Sequence, residues 1–399
     1  MGRPIVWMAA LALVLASCTD DAPTTEPAAD SKPERAIGPG RLVVLDSSGD
    51  VVVIDPDGAN RVSVTDDAGE GAVYTQPIWS PDGSLLAWGQ LSEEGFAVAI
   101  QEPGVDPRTL VETSNLPFYM SWSPDGQSLG VLHNGIRGID FRIVDVGKGS
   151  SIAVDTAAPY YFSWSPSGDQ VVTHAGEDRV ETIRPDGDRH ELVPTSPTYL
   201  APQWTPRGTF HVVGDELVIE DDEGERAPVA SVSGLAMFIA NPQGTRVALQ
   251  LAGGNGAIQV ALEEVPRAPS GSVVVIDLET GVVDVAQQSL SLGFFWSPDG
   301  ESLLVLTPDG EVVVPRVWSG PGDTTDYPGY LPPPAMLRDT FPFFPQYAQS
   351  VRFWSPDSSM FALAGDIEGE QGIWVQDLSR SQPTKVSEGT WVAWSGERP

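Results

Sequence analysis

Trp79-Ser80-Pro81-Asp82-Gly83 is one copy of a phrase that returns along the chain at 122–126, 164–168, 204–208, 296–300 and 354–358, and in truncated form at Trp394-Ser395-Gly396. A worn copy, Ala240-Asn241-Pro242-Gln243-Gly244, brings the number to eight. Most copies follow one another at roughly the 40 to 45 residues of a four-stranded propeller blade. Within the phrase, Pro presets φ at the second turn position, Asp tolerates the third and Gly closes the fourth, so each copy spells a tight turn. Apolar stretches of strand character flank these turns, as in Phe118-Tyr119-Met120-Ser121-Trp122 before and Leu129-Gly130-Val131-Leu132 after, and mark each copy as a hairpin.

A third and a fourth strand follow in most units, for instance around Ile373-Trp374-Val375 and Thr384-Lys385-Val386, and no segment of the mature chain carries helical periodicity. The expectation is an all-β fold, a single β-propeller of eight four-stranded blades, or seven if the unit around Asn241 is not separate. The last unit holds one strand, 390–394, whereas 42–45, 51–54 and 61–64 supply three strands ahead of the first full phrase. Pairing the N-terminal strands with the C-terminal one would complete a blade and remove exposed sheet edges.

The phrase, together with the apolar residues three to five positions after its Gly (Leu86-Ala87-Trp88, Leu303-Leu304-Val305), resembles the TolB-type repeat of the WD-like propeller class. The resemblance covers 41–399 and implies the propeller fold. Since one propeller frame serves scaffolds, binding proteins and enzymes, it implies no single function. Neither the α/β domain that precedes the TolB propeller nor the hydrolase domain of propeller peptidases finds room in the sequence.

Ahead of the repeats, Arg3, the apolar run 5–15 and the sequence Leu15-Ala16-Ser17-Cys18 match a bacterial lipoprotein signal, with residues 1–17 as signal peptide. Cys18 is the only cysteine, which fits lipidation at a processing site better than a disulfide framework. Residues 18–40 are rich in Pro, Ala, Thr and acidic side chains and read as a tether with an r.m.s. reach of roughly 25 Å. The expected location is therefore the outer side of the cytoplasmic membrane, in the periplasm or at the cell surface, with a monomeric propeller hung from its lipid.

The formal charge of −33, from 55 acidic and 22 basic residues, excludes the basic footprint that nucleic acid requires. It disfavours acidic lipid headgroups as well, leaving the acyl chains as the membrane link. Cationic partners, divalent ions and basic peptides suit such acidity; so does a plain role in solubility. Asp82, Asp125, Asp299 and Asp357 belong to different turns around the ring, which fits turn formation and not a calcium cage. Trp79, Trp122, Trp164, Trp204, Trp296, Trp354 and Trp394 are expected to pack between blades. His133, His174, His190 and His211 lack metal-ligand spacing, and neither a Gly-x-Ser-x-Gly elbow nor a phosphate loop is present. No catalytic residue, metal or cofactor is assigned.

Departures from the repeat point to function, since long insertions on a rigid frame commonly carry binding loops. Two are visible. The first, 253–272, extends a loop between the second and third strands of its blade. The second, 318–347, interleaves Trp318, Tyr327, Tyr330, Phe341, Phe343, Phe344 and Tyr347 with seven prolines, a stiff aromatic loop suited to recognition. The same aromatics would alternatively fold back into a groove between blades. The expected function is a non-enzymatic scaffold that binds a protein, peptide or envelope component. The alternative is a channel-mouth lyase, lactonase or glycan-processing enzyme that uses carboxylates with a divalent metal.

Overall fold

In the computed structural model, residues 40–396 are described apart from 103, 178, 194–198, 253–258, 261, 262 and 265–267. Cys18, the signal segment and the tether up to residue 39 lie outside the described residues, as does most of the 253–272 insertion. No helix among the described residues is long and apolar enough to cross a membrane.

Eight antiparallel sheets form the eight blades of a propeller. Blade 1 runs from Val73–Trp79 to Arg108–Thr113, blade 2 from Pro117–Trp122 to Ser150–Ala157, blade 3 from Tyr160–Trp164 to Arg189–Val193, and blade 4 from Gln203–Thr205 to Arg226–Ser231. Blade 5 begins at Leu235–Ala240, the worn copy, and ends at Val283–Gln287; blade 6 spans Gly293–Trp296 to Asp323–Asp326. In blade 7 the strands Met360–Ile367, Glu370–Asp377 and Thr384–Ser387 are regular, while the inner strand is reduced to a bridge between Trp354 and Phe361. The worn unit is thus a full blade.

Blade 8 closes the ring. Its inner strand Trp391–Trp394 pairs with Leu42–Leu45 in the register Leu42↔Trp394 to Leu45↔Trp391, and Val51–Ile54 and Val62–Ser63 complete the sheet. Arg41 N donates to Ser395 Oγ at 2.9 Å and Ser395 N donates to Arg41 O at 2.8 Å, so the pairing continues past the strand ends. Both edges of the array are consumed, as expected of a closed ring.

The phrase performs its turn through a repeated set of bonds. Ser80 N donates to Leu85 O, Gly83 N to Ser80 O, and Asp82 Oδ1 accepts from Ser80 Oγ, Ser84 Oγ and Ser84 N. Burial alone would raise the Asp82 pKa; hydrogen bonds from Ser84 and Ser80 hold it below the usual carboxylate value. At Asp357 the hydroxyl of Ser355 leads the same lowering.

Of the phrase tryptophans, Trp79, Trp122, Trp164, Trp296, Trp354 and Trp394 are buried between blades. Several indoles also pin neighbouring inner strands: Trp164 Nε1 donates to Ser121 O at 3.1 Å, Trp296 Nε1 to Ile239 O at 3.0 Å and Trp354 Nε1 to Phe295 O at 3.0 Å. In each case the acceptor is the residue just before the preceding phrase. Ile239 holds that place before Ala240, which makes Ala240 the structural equivalent of a phrase tryptophan.

Candidate functional site

Strand direction fixes two ring faces. The phrase turns and the third-to-fourth strand turns share one face; the second-to-third loops and the inter-blade connections share the other. Both insertions emerge on the face opposite the phrase. The first joins the second and third strands of blade 5, and its short strands Gln259–Val260 and Glu263–Glu264 add to the outer edge of blade 4 through Ala230↔Val260.

The second insertion leaves the outer strand of blade 6 and enters the ring centre. Its proline-rich part winds into three short turns, Met336–Thr340, Phe341–Phe343 and Phe344–Tyr347. Phe344 packs on Phe294 and Phe295 of the inner strand of blade 6, at centroid distances of 4.8 and 6.1 Å. Tyr347 Oη donates to Phe118 O at 2.6 Å and accepts from Gln76 Nε2 at 2.8 Å, reaching blades 2 and 1. Gln346 bonds the inner strand of blade 3 and takes the Tyr119 hydroxyl on its carbonyl at 3.0 Å. The segment therefore stoppers the central channel on this face.

That placement decides where the candidate aromatics lie. Trp318, Tyr327, Tyr330, Phe341, Phe344 and Tyr347 are buried; Phe343 alone of the seven is open, at 52% exposure. Trp318 Nε1 donates to Asp284 Oδ2 at 2.7 Å, Tyr327 Oη donates to Leu378 O at 3.2 Å, and Tyr330 exchanges backbone hydrogen bonds with Val313. The structure places six of the seven in the core and not on an exposed rim. Closing the channel mouth and the gap between blades 6 and 7 buries large apolar rings that would otherwise face water.

An open site lies elsewhere, on the phrase face between blades 3 and 4. In blades 1 to 3 and 5 to 7 the residue paired with the phrase tryptophan, or with Ala240, stands seven positions later and is a large apolar residue: Leu86, Leu129, Val171, Val247, Leu303 or Phe361. In blade 4, Trp204 pairs with Thr209, five positions on, because the chain turns directly from Thr205 to Gly208. The turn is two residues shorter, and a Cβ at Gly208 would lie 2.5 Å from Glu220 O, so the backbone there is drawn close against the third strand. Packing behind it is thin, with Val172, Val180 and Val193 as the buried cluster and Trp204 only partly covered.

A groove of about 420 Å³ results. Blade 3 supplies Arg184, Asp188, Arg189 and His190, blade 4 supplies Trp204 and the acidic run Glu220, Asp221, Asp222 and Glu223. Arg189 is committed inward, its Nη1 2.6 Å from Glu181 Oε1. Glu220 is likewise committed, 2.6 Å from Arg226 Nε and 3.3 Å from His211 Nε2. Burial pushes the His211 imidazole below its ordinary pKa against the opposing pull of Glu220, so it is neutral at physiological pH. Arg226 Nη2 donates to Leu192 O at 3.0 Å and clamps the outer end of the groove.

The remaining histidines do not assemble. His133 and His174 are buried in blades 2 and 3, where His174 Nδ1 lies 2.9 Å from Leu200 O and His133 Nδ1 3.3 Å from Ser114 Oγ, while His190 is exposed in the groove. Among the described residues no group of three or more His, Cys, Asp or Glu side chains is arranged to hold a metal ion.

No family model and no curated protein matches the sequence. Solved structures do. The chain is similar to a structure described as the eukaryotic initiation factor, at 10% identity and TM-score 0.55, over 91% of this chain and 99% of that one. An oligogalacturonate lyase in complex with manganese is similar at 13% identity and TM-score 0.52, over 86% and 98%. TolB from Acinetobacter baumannii shares 16% identity at TM-score 0.40, over 70% of this chain, which spans 61% of the TolB chain. At these identities the likeness concerns the fold: TolB-like and WD40-like propellers are among the structural neighbours of this eight-bladed ring.

Proposed function

We propose that the protein is a lipid-anchored, non-enzymatic propeller on the outer side of the cytoplasmic membrane. It binds a peptide, protein or envelope component in the groove between blades 3 and 4. The observation that carries this reading is Trp204, the phrase tryptophan left partly open, beside a cavity of about 420 Å³ created by a shortened turn. A rigid aromatic flanked by charged groups loses little entropy on docking and supports recognition. The second insertion serves the frame in this reading, because it stoppers the channel. The lipobox-like Leu15-Ala16-Ser17-Cys18 supports the anchor.

Two measurements test it. Cys18→Ser is expected to move the protein from the membrane to the soluble fraction and abolish acyl labelling; continued membrane association would remove the anchor from the proposal. Pull-down from solubilised envelopes with Trp204→Ala is expected to lose the partner that the unaltered protein captures. Capture undiminished by the substitution would exclude the groove.

A further inference from the structure

Resting on the groove as the binding site, we infer that its ligand is cationic, a peptide segment bearing Lys or Arg side chains. The argument is the balance of uncommitted charge. On the basic side, Arg189 is neutralised by Glu181 at 2.6 Å, which leaves Arg184 and the imidazole of His190. On the acidic side, Glu220 is neutralised by Arg226, and Asp221 Oδ1 accepts the backbone N–H of Glu223 and Glu225. Asp188, Asp222 and Glu223 carry no ion pair among the described residues, and all three are exposed. The lining therefore presents more free carboxylate than free cation, inside a chain whose net charge of −33 adds a background of the same sign.

Trp204 selects within that class. An indole face attracts ammonium and guanidinium groups, and Trp is the strongest of the aromatic rings in this respect. The aliphatic stems of Lys and Arg lie along apolar surface while their heads stay in water. A basic side chain laid over Trp204 would place its head toward Asp222 and Glu223. An anionic segment would instead meet these carboxylates with only Arg184 and His190 to hold it.

The test is titration calorimetry of the full-length protein with capped tetra-arginine, at two salt concentrations, against four variants. Saturable one-to-one binding is expected, weakening with salt, with the dissociation constant raised about tenfold or more in Trp204→Ala and in Asp222→Asn/Glu223→Gln. Glu93→Gln/Glu94→Gln, the same charge change on the opposite face, should leave binding intact, and Trp204→Phe should retain part of it. Equal loss in the two charge variants would overturn the proposal by making the attraction diffuse, as would no saturable binding of tetra-arginine. Tetra-glutamate bound in a Trp204-dependent way would sink the cationic class while keeping the groove. Neither peptide responding to Trp204→Ala would sink both.

Discussion

The side-chain amide of Gln346 engages both backbone groups of Phe162, accepting from its N–H at 2.9 Å and donating to its C=O at 2.7 Å. An inner propeller strand pairs on one side only, so its second edge needs partners wherever water is excluded. Here the channel plug supplies them by imitating a strand. Gln203 repeats the device between blades 4 and 5, its Nε2 donating to Phe238 O at 2.8 Å and its Oε1 accepting from Ala240 N at 2.7 Å.

Gln346→Leu keeps the bulk and removes both bonds, leaving a buried N–H and C=O unsatisfied. The expected loss is on the order of 2–4 kcal/mol, seen as a lower urea midpoint with an unchanged slope. Phe343→Ala, three residues away but exposed, should cost no more than about 0.5 kcal/mol. Similar losses in the two variants would show that the plug has no specific seat.

The phrase indoles provide a matched comparison. Trp164 Nε1 donates to Ser121 O, whereas Trp79 Nε1 is buried without a hydrogen-bond partner among the described residues. Trp→Phe removes similar volume at both sites, but only at position 164 does it also remove a hydrogen bond. Trp164→Phe is expected to be more destabilising than Trp79→Phe by roughly 1 kcal/mol, measured by paired denaturation curves.

Ring, blade count and closure were legible because each rests on a simple local signal: a repeated turn phrase, a two-residue alternation, and three spare strands at one end to match one at the other. The plug was not, because its geometry depends on contacts such as Tyr347 to Phe118 that no periodicity encodes. Aromatic density between 318 and 347 signalled an exception, and whether those rings face water or core is settled by the channel and the gaps between blades that they fill. The groove did leave a signal. Gly208 is followed at once by Thr209-Phe210-His211, where Gly83 is followed by Ser84-Leu85-Leu86, and a two-residue deletion in a repeat shifts one blade's inner wall.

Closure of the ring predicts the result of a short truncation. Ending the chain after Thr390 removes Trp391–Trp394 and exposes the Leu42–Leu45 edge along with the buried faces of Val43, Val44 and Ala362. An unpaired apolar edge is a template for association. Size-exclusion chromatography should show aggregates or loss of soluble protein, and a well-behaved monomer would mean that seven blades suffice.

Acid stability follows from the turn carboxylates. Asp82 and Asp357 have pKa values lowered from 3.8 in the folded protein, so the unfolded chain binds protons first as pH falls. Their contribution is fully present above 3.8 and is lost as pH drops through the lower folded values. The protein should lose stability steeply below about pH 4, and Asp82→Asn/Asp357→Asn should be weaker at neutral pH with a shallower acid decline. Parallel curves for the two proteins would exclude these turns as the source.

Restoring the missing turn length tests the origin of the groove. Inserting Ser-Leu after Gly208 together with Arg207→Asp and Thr209→Leu, so that the sequence reads Thr-Pro-Asp-Gly-Ser-Leu-Leu, gives blade 4 the seven-position spacing found in blades 1 to 3 and 5 to 7. The lengthened turn would relieve the close approach of Gly208 to Glu220 O and bring an aliphatic side chain across from Trp204. Covering a half-open indole with a buried aliphatic residue contributes roughly 1–2 kcal/mol, so the graft is expected to raise the denaturation midpoint while shielding Trp204 from acrylamide quenching. Capture of tetra-arginine should fall with the shielding. A stabilised graft that still binds the peptide would place the recognition surface outside this groove, and a graft that fails to shield Trp204 would show that something other than turn length holds the blades apart.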